Sequence, residues 1–241
     1  MITTPNNGRL GNQIIRNLAV SLIAEKHNLK VDYSSKDLIT RLGIDLFSGT
    51  NIFDNIKPLN DDNYFSILHC DNLNYALNSN ESYFQTKEIT NLLYEHLNTD
   101  PVKNNIIKKN PFNERYDKNN DLFIHVRLGD VAHLNAGIDY YLNTMRRIKF
   151  DNLYVSTDDK NHNIIKVIFK LYPSAKLVNC DEIRTIKFGS TCKHILLSHG
   201  SFSALIGYLA FFSNVYYPKY NNPGKIWHGD MFSIDKWTKI L

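Results

Sequence analysis

At 241 residues, 43% of them hydrophobic, the chain is long enough for one large domain or two small ones with a proper core. Its 28 basic and 24 acidic residues leave a net charge of +4, far from a nucleic-acid-binding composition, and no apolar run approaches the ~18–20 residues that cross a bilayer. Cys70, Cys180 and Cys192 are odd in number and lack Cys-x-x-Cys spacing, which argues against a disulfide framework or a zinc site; with no basic-then-apolar start, the expectation is a cytoplasmic protein without stable membrane insertion.

Residues 2–4 read as a short strand. The turn Asn7-Gly8-Arg9-Leu10-Gly11-Asn12 follows, and then Ile14, Ile15, Leu18, Ala19, Leu22 and Ile23 recur at helical spacing, predicting a helix over 13–27 with one buried face. Two glycines ahead of a helix let backbone approach a ligand, and first-turn N–H groups suit a phosphate. The same spacing also makes a plain tight turn. Leu29, Val31 and Tyr33 alternate as a strand, and a helix is expected from Lys36 to a stop near Gly43.

Residues 48–63 are polar and turn-rich. Asp61-Asp62 has no strand before it and asparagines on both sides, so it is read as a turn rather than a metal-binding pair. Residues 64–70 read as a strand. Ile89, Leu92, Leu93, His96 and Leu97 predict the next helix, with His96 a structural histidine on its face. Residues 98–120 hold two prolines and many Asn and Lys and read as a linker between two halves.

Residues 121–130, Asp-Leu-Phe-Ile-His-Val-Arg-Leu-Gly-Asp, form the most informative stretch. Leu122 to Val126 predicts a buried strand carrying His125, with Arg127 at its carboxyl end, where open parallel sheets place ligands. A guanidinium there suits phosphate. Alternatively Arg127 pairs with Asp130 and braces the turn.

A helix from 138 and a strand over 153–156 follow, ending in Thr157-Asp158-Asp159. Those carboxylates are either ligand-facing or ordinary helix amino-terminal residues. Then come a helix over 161–171, a strand over 176–179, a helix over 182–191 and a strand over 194–198. That strand runs into His199-Gly200-Ser201-Phe202-Ser203 and another helix. Serines at such a turn hold phosphate oxygens or simply cap the helix. A last strand is expected over 215–217, with Trp227 and Trp237 packing back onto the body. The strand–helix alternation predicts an α/β fold.

Several of these segments, in this order, resemble the superfamily of α-1,2-, α-1,6- and protein O-fucosyltransferases: Gly8-x-x-Gly11-Asn12-Gln13, His125-x-Arg127-x-Gly129-Asp130, and Ser201-Phe202-Ser203 after Cys192-Lys193-His194. Shorter likenesses fall at residues 83–86, 139–141 and 154–159. The resemblance implies a GT-B-like fold, two Rossmann-like domains facing an interdomain cleft. Residues 1–110 would be the acceptor-side domain with the glycine loop, and residues 121–241 the nucleotide-sugar-binding domain.

It further implies a metal-independent, inverting glycosyltransferase with no cofactor, using a nucleotide-sugar donor, GDP-fucose, and a glycan acceptor. Arg127 would neutralise the β-phosphate, and His125 with Asp158 or Asp159 would face the guanine. Ser201, Phe202, Ser203, Gly8, Gly11 and Asn12 would line the diphosphate and sugar. Asp130 stands first among Asp130, His133 and Asp139 as general base. The chain departs from the pattern at Leu128, where many members carry a second arginine, and at Ala204-Leu205, where bacterial α-1,2 enzymes carry tryptophans. The chain is also shorter than typical members. The departures leave two alternatives: a transferase of the same fold using GDP-rhamnose or a UDP-sugar, or a non-catalytic nucleotide- or glycan-binding module.

Overall fold

The computed structural model describes residues 2–219 and 230–241. Trp227 lies outside the described residues, whereas Trp237 packs against Tyr208, Tyr217 and Phe232. The chain is a mixed α/β protein of two compact units, residues 2–106 with 230–231 and residues 107–219 with 232–241. No helix among the described residues is long and apolar enough to cross a membrane.

The first unit contains β1 (Ile2–Thr3), α1 (Leu10–His27), β2 (Val31–Asp32), α2 (Lys36–Leu42), β3 (Ile56–Pro58), α3 (Tyr64–His69), β4 (Ala76–Asn78), α4 (Lys87–Leu97) and most of α5 (Asp100–Lys108). Its strands form two separate parallel pairs, β1 with β2 and β3 with β4. Helix α1 buries Ile14, Ile15, Leu18, Ala19 and Ile23. It stops at Asn28 in the left-handed region, whose N–H closes onto the Ala24 carbonyl. It also starts three residues earlier than its apolar spacing suggests, so Gly11 and Asn12 sit in its first turn.

Two expectations about local structure are corrected. Residues 64–70 are not a strand but carry α3, because Tyr64 and Ile67 fall on one buried helical face. The Tyr64 hydroxyl donates to the Ala19 carbonyl of α1 at 2.9 Å. Residues 98–120, within which the two units divide, are not a bare linker: they carry α5 and a 3-10 turn at Asn113–Arg115. Helix α5 buries only Ile106, too little apolar surface to give a visible period.

The second unit contains β5 (Leu122–Val126), α6 (Ile138–Met145), β6 (Leu153–Thr157), α7 (Asn163–Leu171), β7 (Lys176–Leu177), α8 (Glu182–Gly189), β8 (His194–Leu196), α9 (Ser201–Tyr208), β9 (Asn214–Pro218) and β10 (Thr238–Ile240). All six strands are parallel, in the order β7-β6-β5-β8-β9-β10. Counted within the unit this is 3-2-1-4-5-6, the order of a doubly wound open sheet. Strand β5 lies at its centre with all five residues buried. Leu122, Ile124 and Val126 join a core with Tyr141, Met145, Val155 and Ile168. The alternate residues Phe123 and His125 face the other side, where Phe123 meets Phe188 of α8 and His125 meets Phe202 of α9.

This topology sets the place of the site. The chain winds outward from β5 through β6 to β7, then returns to lay β8 against the other flank of β5. At such a switch point the loops leaving β5 and β8 part in opposite directions, and the crevice outside the strands' carboxyl ends is where ligands bind in these sheets.

Candidate functional site

Arg127 follows directly after β5, and its guanidinium is held by two carboxylates. One Nη donates to Asp130, three residues on, at 2.5 Å, and the other to Asp158, at the end of β6. Asp158 has a second anchor, the Leu128 N–H at 2.7 Å. Gly129 makes this closure possible: its φ is +29, and a Cβ there would stand 2.6 Å from the Asp158 carboxylate. The brace between Arg127 and Asp130 is therefore real, and a second carboxylate joins it.

Two carboxylates on one guanidinium leave the trio with net negative charge. The two are unequal, since the Asp130 side chain is 55% exposed and that of Asp158 27%. An ion pair with so exposed a partner is worth at most about 1 kcal/mol, and a multiply charged anion can replace it.

Behind the arginine lies a buried polar network. Asn135 Nδ2 donates to the Arg127 carbonyl and the Tyr141 hydroxyl, both at 2.9 Å. Tyr141 in turn donates to Ser198 Oγ at 3.1 Å, while Tyr140 donates to the Leu197 carbonyl at 2.7 Å. The adjacent tyrosines thus tie α6 to the end of β8. Ser198 Oγ lies 3.3 Å from His199 Nδ1. Ser203, wholly buried in the first turn of α9, accepts from the Ser198 N–H at 3.0 Å and lies 2.6 Å from His125 Nδ1. The His125 ring packs 5.2 Å from that of Phe202.

Burial pushes His125 down to about 3, and the nearby Arg127 and His199 add to this. His199 is lowered to about 4 by the same causes in the same order, burial and then Arg127, with His133 adding a smaller push and Asp158 opposing. Both imidazoles are neutral at neutral pH, so the positive charge of this cluster resides on Arg127.

No protein-family model matches this chain. Nor does any curated protein match it.

The helix-capping alternative for Asp158 and Asp159 does not apply, because α7 is capped by His162, whose side chain accepts from the Ile164 N–H. Asp159 instead accepts the Asn161 N–H at 2.9 Å. Ser201 and Phe202 are half-buried at the start of α9. The cap of that helix is Gly200, at φ +91, without a side-chain capping bond, so the serines are not ordinary caps. Leu128 is fully buried. Asp139 and His133 are exposed.

In the first unit, Gly8 adopts φ +80, and a Cβ there would stand 3.0 Å from both the Asn12 side chain and the Tyr83 ring. Asn12 accepts from Gln85 Nε2 at 2.8 Å, and Gln13 donates to the Gly8 carbonyl at 2.8 Å. The segments at 8–13 and 83–86 thus meet. Arg16, 1% exposed, binds the turn from beneath: it donates to the carbonyls of Pro5, Asn7 and Ser82 and to the Asn7 side chain. The Tyr83 ring covers its guanidinium at 4.6 Å.

Sequence reasoning gave no role to His199, Asn135, Tyr141 or Arg16. For His199 a signal existed: it follows a predicted parallel strand directly, as Arg127 and Asp158 do. Arg16 offered none, since an arginine inside a helix is ordinarily solvated.

Proposed function

We propose that this protein is an inverting glycosyltransferase of the fucosyltransferase type, moving fucose from GDP-fucose to a glycan hydroxyl. The observation that carries the reading is Arg127 at the switch point of the six-stranded sheet, paired to an exposed carboxylate that an anionic ligand can replace. The order of the three motif segments in the sequence supports it, as does the division of the chain into two α/β units.

In a single displacement the acceptor hydroxyl loses its proton to a base as its oxygen attacks the sugar's anomeric carbon. The bond from that carbon to the diphosphate oxygen breaks, and GDP leaves. Arg127 exchanges Asp130 for the β-phosphate and neutralises the charge that develops on the leaving group. Asp130, released, is the first candidate to take the acceptor's proton. His125 and Asp159 are assigned to the guanine, and Ser201 and Phe202 to the diphosphate and sugar. Asp158, with its second anchor on the Leu128 N–H, orients the arginine.

A panel of GDP-fucose, GDP-mannose, GDP-rhamnose and UDP-sugars tests this, read as slow donor hydrolysis and as a rise in melting temperature. The expected result is turnover of GDP-fucose, with Arg127→Ala losing at least ~100-fold in rate while the protein stays folded. An unchanged rate in that variant refutes the role of Arg127. The buried Leu128, where a second arginine stands in many similar enzymes, favours a second reading with another donor sugar. Turnover of GDP-rhamnose or a UDP-sugar in place of GDP-fucose selects it. Stabilisation by GDP without turnover of any donor selects a binding module.

A further inference from the structure

Ser203 was expected to touch the donor, yet its hydroxyl is buried and committed elsewhere. Ser203 Oγ has two hydrogen-bonding partners among the described residues, the Ser198 N–H at 3.0 Å and His125 Nδ1 at 2.6 Å. The Ser198 amide can only donate, so it occupies a lone pair of the hydroxyl. The contact with His125 then needs one proton, supplied either by the serine or by the imidazole. If the imidazole supplied it, the serine's own proton would be left without an acceptor in a fully buried position, which is disfavoured. If the serine supplies it, the Ser198 N–H, the serine hydroxyl and His125 Nδ1 are all satisfied.

We propose that Ser203 is a positioning residue that fixes His125 in the tautomer bearing its proton on Nε2. The backbone amide of Ser198 orients the hydroxyl, the hydroxyl donates to Nδ1, and the ring at the end of β5 is left with a donor and no second acceptor. The neutrality of His125, buried beside Arg127, keeps this choice in force across the physiological range. The relay joins the end of β8, the first turn of α9 and β5, the two strands that flank the switch point and the helix leaving it.

The consequence for recognition rests on the reading of the preceding section, in which His125 faces the base. An Nε2–H can be met only by an acceptor. Guanine offers two acceptors on one edge, O6 and N7, whereas the adenine edge sets an amino donor beside its N7.

Long-range proton–nitrogen correlation on the 15N-labelled full chain at neutral pH tests the tautomer, with His125 assigned by the loss of its signals in His125→Gln. The expected spectrum shows an unprotonated Nδ1 and a protonated Nε2 in the wild type. Ser203→Ala and Ser203→Cys should each give mixed tautomers, the thiol being a weak donor. A protonated Nδ1 in the wild type overturns the proposal, and so does an unmixed Nε2–H tautomer in either variant. If both variants fail to fold, the wild-type spectrum alone decides: an Nε2–H tautomer supports the proposal and a protonated Nδ1 overturns it.

Binding separates this from the functional reading. Ser203→Ala should weaken GDP roughly tenfold and leave inorganic pyrophosphate unchanged. Equal weakening of both overturns a role for the relay in base recognition. Absence of GDP binding in the wild type refutes the functional reading and leaves the tautomer result standing.

Discussion

Two arginines in this molecule sit beside a turn that leads to a helix, and their partners differ in kind. Arg16 of α1 is buried and donates to three backbone carbonyls and the Asn7 side chain beneath the turn at Gly8. Arg127 after β5 donates to two carboxylates, one of them more than half exposed. Carbonyls fixed in the backbone cannot be traded for a ligand without dismantling the turn. A carboxylate on an exposed turn can swing away and be replaced by a phosphate. The comparison separates an arginine that shapes a loop from one that can act on a ligand, although both are cations at strand–turn–helix junctions.

The first way to break this comparison is Arg16→Ala. Removing the guanidinium leaves several buried carbonyls without donors and a cavity under the Tyr83 ring, so stability should fall by about 3 kcal/mol. That corresponds to roughly 6–12 °C in melting temperature for a chain of this size. Denaturant unfolding measures it. A loss below about 1 kcal/mol would place Arg16 in the same class as Arg127, whose own alanine variant should cost at most about 1–2 kcal/mol of stability.

The histidines provide the second test. Their folded pKa values, about 3 for His125 and about 4 for His199, lie below that of an unfolded histidine, about 6.5. The unfolded chain therefore binds protons that the folded chain refuses. This contribution to stability is complete above about pH 6.5 and is lost as the pH falls towards 4, at about 1.4 kcal/mol per pH unit for each ring. Urea midpoints at pH 7.5 and pH 5 should diverge in the wild type and draw together in His199→Gln. An identical pH dependence in both would show that His199 is not held neutral.

A smaller effect sharpens the contrast further. If Asp130 occupies Arg127 in place of a ligand, Asp130→Asn should tighten inorganic pyrophosphate about three- to tenfold. In the proposed reaction it should also slow transfer, because the same residue is the candidate base. Unchanged or weaker pyrophosphate binding would mean that Asp130 does not compete with the anion.

The second unit was far more legible in the sequence than the first. Strand β5 is a continuous apolar run because helices cover both of its faces, and such runs stand out without any periodicity. In the first unit the strands are two or three residues long, too short to alternate visibly. Residues 64–70 misled because Tyr, Phe and Ile favour strands, while the contact that decides the matter, Tyr64 onto α1, spans 45 positions. Strand β10 escaped notice because only its pairing with β9 makes it a strand.

The site shows the same division. Arg127, Asp130 and Asp158 could be found from their places at strand ends. The relay from Ser203 to His125 could not, since it joins residues 78 positions apart. Nothing local to either residue reveals that the serine is turned inward.

The central claim is that Arg127 meets a diphosphate. Calorimetric titration of GDP into the wild type and into Arg127→Gln, at low and moderate salt, tests it most directly. The account predicts saturable binding that weakens with salt, and a loss of about 10- to 100-fold in the variant with its melting temperature within a few degrees of the wild type. Equal affinity in the two proteins would contradict it.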